Sequence, residues 1–146
     1  MAQKFKLQSV LNYRQSLENQ AQQQLTSSLQ QQAQLEEELQ QQLAQIQQLD
    51  LQLQQKQQEG LMIAELELFE AQIMHRRQQI QRLQQQLELL EPQILSERQQ
   101  LLSAARDKQV MEKLKEQQQA EYRQELARKE RGLLDEISLR TKGEMS

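Results

Sequence analysis

Starting at Met62 and stepping alternately by four and three residues, the sequence reads Met62, Leu66, Phe69, Ile73, Arg76, Ile80, Leu83, Leu87, Leu90, Ile94, Glu97, Leu101, Ala104, apolar at eleven of thirteen positions. A repeat of 3.5 residues sustained this long predicts a helix whose apolar stripe faces another helix in a left-handed coiled coil. The positions in between are mostly Gln, Glu and Arg, which suit a solvated face. Before this run, Leu25, Leu29, Leu35, Leu39, Leu43, Ile46, Leu49 and Leu53 form a second stripe. Its spacing averages nearer 3.6, which predicts a second helix with a stutter in its register.

A narrow stripe is also all that the composition can supply. The 146 residues are 36% hydrophobic and 3% aromatic, the aromatics being Phe5, Tyr13, Phe69 and Tyr122, whereas a globular core of this length draws on about 45–50% apolar residues counting Gly. A compact enzyme domain is therefore excluded. Disorder is disfavoured as well. With 37 Gln, three Gly and one Pro, the chain is built from Leu, Gln, Glu, Lys, Arg and Ala, all good helix formers.

The net charge of -3 offers no overall basic field for nucleic acid or an anionic membrane. Charge is uneven, however: Lys4, Lys6 and Arg14 stand at the start without an acid, and the stretch that follows, to residue 75, is acidic. The absence of Cys excludes disulfides and thiolate metal sites and is compatible with a reducing compartment. No run approaches 18 apolar residues, and the opening has no signal-peptide core, so a soluble cytoplasmic protein is expected.

Between the two stripes lies Gly60, which stands alone between residues 1 and 131 and can take the left-handed conformation that ends a helix. The expected architecture is all-α. It is a long two-helix antiparallel coiled-coil hairpin forming a single domain over residues 1–146, with helix 1 at about 4–57, a bend near 58–61 and helix 2 at about 62–140. One continuous helix in a parallel dimer is the alternative. Pro92 should kink or briefly break helix 2 near Glu91. Gly132 is expected to fray it and Gly143 to lie past its end.

If the chain reverses at Gly60, Phe5 lies beside roughly residue 115, and helix 2 overhangs by about 20 residues, or roughly 30 Å. The overhang carries Tyr122, Leu126, Leu133, Leu134 and Ile137, apolar groups that need a partner.

Catalytic and metal constellations are missing from the sequence: His75 is the single His, there is no thiol, and three isolated glycines cannot cradle a phosphate. No enzymatic activity and no cofactor are expected. The run Leu126-Ala127-Arg128-Lys129-Glu130-Arg131 is interrupted by acids and lacks aromatic platforms, so it reads as a mixed-charge helix face rather than a nucleic-acid site. Near the bend, Arg76 occupies a stripe position, where a polar residue can set register.

Two terminal segments are more specific. The start reads Phe5-Lys6-Leu7-Gln8-Ser9-Val10-Leu11-Asn12-Tyr13-Arg14. Toward the end come Asp107-Lys108-Gln109-Val110-Met111-Glu112-Lys113-Leu114-Lys115-Glu116 and Leu133-Leu134-Asp135-Glu136-Ile137. These strings, in this order around two coiled-coil stripes, resemble the FliJ family of the flagellar type III export apparatus across essentially the whole chain. The Gln-rich spacer and Pro92 depart from the family pattern.

The resemblance implies an antiparallel coiled coil similar to the shaft of the rotary ATPase gamma subunit. It also implies a non-enzymatic role as the central stalk of the hexameric flagellar export ATPase, linked to the cytoplasmic domain of the export gate and escorting export substrate chaperones. The chain would be monomeric when free, without membrane insertion, and held peripherally at the cytoplasmic face of the inner membrane at the flagellar base. By that analogy the ATPase ring meets Phe5, Leu7, Leu11, Arg14, Arg106, Asp107, Val110, Lys113, Leu114, Tyr122, Leu133, Leu134, Asp135 and Ile137. The export gate meets Phe69, Ile73, His75 and Arg76 at the bend. Two other readings stay open: a structural coiled-coil tether or scaffold, and the equivalent stalk of a virulence type III secretion system.

Overall fold

The computed structural model describes residues 5–145, with the side chains of residues 144 and 145 left aside. It contains two helices, α1 (Gln8–Glu59) and α2 (Ile63–Met145), packed against each other as an all-α hairpin. Residue 4, the expected start of the first helix, lies outside the described residues.

The reversal is short. Gly60 adopts a φ of 107°, in the region that side chains with a Cβ rarely enter, so the residue that ends α1 has to be glycine-like. Lys56 in the last turn of α1 reaches Glu65 in the first turn of α2 at 3.5 Å, which places each charge at the helix end whose dipole favours it. The main-chain N–H of Leu66 donates to the carbonyl of Met62 at 3.0 Å, closing the first turn of α2.

Contacts gather into two units, Ala21–Leu101 and Met1–Gln20 with Leu102–Ser146. In the first, Lys56–Glu65, Gln42–Arg76 and Ser28–Gln93 pair across the hairpin; in the second, Arg14–Asp107 and Glu18–Lys108 do so. Each of these pairs is centred within three residues of Gly60, the register expected from the position of that glycine.

The less exposed positions of α2 recur at alternating steps of three and four from Leu66 to Tyr122. They pass through the expected stripe and continue beyond Ala104 as Lys108, Met111, Lys115, Gln118 and Tyr122. The core is thin: Ile73, Leu83, Leu90, Ile94 and Met111 are buried, together with Ser28. Met62, expected to start the stripe, is 71% exposed, because it belongs to the turn and precedes α2.

In α1 the seam is Leu11, Arg14, Glu18, Ala21, Leu25, Ser28, Gln32, Leu35, Leu39, Gln42, Ile46, Leu49 and Leu53, again in alternating steps of three and four. The expected stutter is absent. It arose from reading only the leucines: Leu29 and Leu43 flank the seam, while Ser28 and Gln42 occupy it.

Helix α2 runs unbroken through Pro92, so no break occurs near Glu91. Pro92 and Glu88 are both exposed, and water can take the carbonyl that the missing N–H leaves free. The helix also continues through Gly132 and Gly143 to Met145, past the expected end near residue 140.

Candidate functional site

The unit that joins the start of α1 to the second half of α2 collects both terminal strings. Its opening turn is set by the Gln8 N–H donating to the Phe5 carbonyl at 3.1 Å and the Leu11 N–H to the Leu7 carbonyl at 3.0 Å. Leu11 and Arg14 then enter the seam, and Phe5 is half-buried.

Two ion pairs fasten this segment to α2. Arg14 Nη1 lies 3.4 Å from Asp107 Oδ2, with the two side chains 38% and 52% exposed. Lys108 Nζ lies 3.0 Å from Glu18 Oε2 and 3.8 Å from Glu112 on its own helix. Arg14 and Asp107, both expected at a partner surface, are therefore partners of each other. Sequence reasoning missed the Glu18–Lys108 pair because the apolar pattern stops at Ala104; stepping on by four and three would have reached Lys108 and Met111.

The remaining expected residues sort by exposure. Tyr122 is half-buried and closes the seam. Leu7, Arg106, Val110, Lys113 and Leu114 are exposed on the paired stretch, and Leu133, Leu134, Asp135 and Ile137 are exposed beyond it. From Arg123 to Gly143 every side chain except that of Ala127 is exposed, although the backbone stays helical. Within this stretch Leu126, Leu133, Leu134 and Ile137 fall on one face by their spacing of three, four, seven and eight. Leu139, 69% exposed, joins the uncovered apolar residues and was not among those expected. The stretch from Arg123 to Met145 is about 35 Å long at 1.5 Å per residue.

At the turn, in the other unit, the expected residues separate differently. Ile73 is buried, Phe69 is half-buried in the seam, and Arg76 donates from Nη1 to Gln42 Oε1 at 3.1 Å. Of the four, His75 alone is exposed; it lines a shallow groove with Gln45, Gln48, Leu49, Gln52, Ala71, Gln72 and Arg76. The apolar side chains that face outward here include Met62 and Ile63, at 71% and 77%, with Leu68 and Met74.

A third polar cluster sits mid-seam. Ser28 Oγ donates to Glu97 Oε1 at 2.9 Å, and Gln93 Nε2 donates to the same oxygen at 3.1 Å, leaving Glu97 Oε2 buried and unpaired. Among the described residues no three His, Asp or Glu side chains are grouped to hold a metal, and no helix is long and apolar enough to cross a membrane. What the geometry offers is recognition surface: an uncovered apolar helix face flanked by mixed charge.

Neither the curated proteins nor the solved structures gave a match to this chain. The sequence model described as Flagellar FliJ protein matches residues 3–143, nearly its whole length. Both terminal strings and all but the last two residues of the two-helix hairpin fall inside that match, and the chain belongs to the FliJ family, a non-catalytic family of flagellar protein export.

Proposed function

We propose that this chain is the central stalk of the hexameric flagellar export ATPase, linking it to the cytoplasmic domain of the export gate and escorting substrate chaperones. The observation that supports this reading most is the helical stretch after Tyr122, which holds Leu126, Leu133, Leu134 and Ile137 uncovered next to the paired start of α1. An exposed apolar stripe of this kind calls for a protein partner.

The mechanism is mechanical and allosteric. A single asymmetric coiled coil inside a sixfold ring touches each subunit differently, and it can favour one nucleotide state only through those differential contacts. The ring-facing surface comprises the exposed members of the expected set, from Leu7 and Val110 to Ile137, held in place by the Arg14–Asp107 and Glu18–Lys108 pairs. The gate is met at the turn, where His75, Met62 and Ile63 face outward and Phe69, Ile73 and Arg76 support them from within the seam. Free of these partners the chain is a monomer, and in the assembly they hold it at the cytoplasmic face of the inner membrane.

Replacing Leu114, Leu133, Leu134 and Ile137 together by Asp tests the assignment. All four are exposed, so helicity should be retained while stimulation of the export ATPase is lost. Stimulation equal to that of the unaltered chain would rule the stalk out. Pull-downs with the ATPase and with the gate domain, each against truncations at residue 115 and at the bend, assign the two ends.

A further inference from the structure

A seam with a 3.5-residue repeat looks the same after every seventh residue, so two helices joined by a turn can pair again after sliding by one heptad. Apolar layers do not forbid this, because leucine against leucine is the same contact one heptad on. The turn does not forbid it in one direction either. Residues 54–59, immediately before Gly60, are all polar and all exposed, so the stretch nearest the turn holds no apolar contact, and the slide uncovers only Leu49 and Leu53 on this side.

What does change is the environment of three charged seam residues of α2. In the observed register Arg76 donates to Gln42 at 3.1 Å, Glu97 accepts from Ser28 at 2.9 Å, and Lys108 lies 3.0 Å from Glu18. A one-heptad slide that lengthens the turn brings Leu35 to Arg76, Ala21 to Glu97 and Leu11 to Lys108. The opposite slide brings Leu49, Leu35 and Leu25 to the same three places. All six exchanges put a partly buried charge against an apolar side chain, and removing one partner of such a pair is more damaging than the intact pair is helpful.

The Ser28 layer is the tightest. Ser28 is 4% exposed, and neither Ala21 nor Leu35 has a hydroxyl to offer Glu97, which already leaves one buried oxygen unpaired.

We propose that these three polar layers lock the hairpin in one register and thereby fix how much of α2 extends past the start of α1. They act by penalising the slipped pairings, as a single buried Asn does in a parallel coiled coil. This holds whatever the partner of the extension is.

The chain has no cysteine, so pairs can be introduced freely. Arg14→Cys with Asp107→Cys reports the observed register. Arg14→Cys with Gln100→Cys, or with Leu114→Cys, reports a slide of one heptad either way. In an otherwise unaltered chain a short thiol cross-linker, used at protein concentrations that keep products intramolecular, should join only the first pair. In the chain carrying Arg76→Leu, Glu97→Leu and Lys108→Leu, helicity should persist while a slipped pair links in a yield comparable with the first. With Gln at the same three positions, linkage should stay confined to the first pair.

A helical triple-leucine chain that still links only the first pair overturns the proposal, as does a triple-glutamine chain that slips as freely as the leucine one. Should the triple-leucine chain lose helicity, the three single leucine variants carry the test: raised slipped linkage in any of them supports the lock, and none in all three overturns it.

Discussion

Lys108 Nζ lies 3.0 Å from Glu18 Oε2 with the two side chains only 19% and 18% exposed, although Lys108 occupies a seam position of α2. The neighbouring Arg14–Asp107 pair, at 3.4 Å, stands in far more water. Proximity in sequence and likeness in chemistry thus hide a difference in dielectric surroundings, which decides how much each pair contributes.

Double-mutant cycles with alanine should separate them. The coupling between Glu18 and Lys108 is expected at about 1–2 kcal/mol, and that between Arg14 and Asp107 below about 0.5 kcal/mol, both read from thermal or urea unfolding. Raising salt to roughly 0.5 M should erase the second coupling and leave most of the first, because screening acts mainly on exposed charge.

Leu89 and Leu90 are adjacent, yet Leu90 is 5% exposed and Leu89 76%. Leu90→Ala should destabilise the hairpin by about 2–4 kcal/mol, whereas Leu89→Ala should stay within about 0.5 kcal/mol. Equal effects would place the seam elsewhere.

The glycines should respond with opposite signs. Gly60→Ala forces a Cβ into a φ of 107° and should cost about 1 kcal/mol or more, despite open space around it. Gly132→Ala lies inside α2 with nothing within 4 Å of the added carbon and should add up to about 1 kcal/mol to the local stability of the helix, seen as slower hydrogen exchange around it.

Pro92→Ala should stabilise the chain by about 1–3 kcal/mol, because it restores an N–H to the middle of α2 without touching the seam. A melting temperature that falls instead would mean that the proline removes an alternative state the hairpin must avoid.

Light scattering on the free chain should return the mass of one copy, 17.4 kDa. An obligate dimer would mean that the extension beyond Tyr122 is covered by a second copy, and would favour a tether over a stalk.

The reversal at Gly60 and the central seam were legible because both rest on strong local signals, a lone glycine and a long repeat that is apolar at most of its positions. The seam in α1 was misread where it is polar. Ser28 and Gln42 hold positions that a leucine count assigns to Leu29 and Leu43, Gln32 holds one that it skips, and a cross-helix partner such as Glu97 is invisible until the register is known. The same blindness hid Lys108 and Glu18. At the turn, Ile73 and Arg76 were expected to meet the export gate, yet the periodicity that placed them in the stripe already implied that they face α1. The continuation of α2 through Gly132 and Gly143 was not legible either, since glycine lowers helix propensity without forbidding a helix that its neighbours favour.

A seam one residue wide has a bearing on how such a chain can change over time. Roughly two positions in every seven are held by folding, and the rest, nearly half of them glutamine in α1, answer to solubility and to whatever surface a partner reads. Drift should therefore be fast between seam positions and slow in their spacing. Distant relatives of this protein are expected to share its rhythm and its three polar interruptions while agreeing in few individual residues.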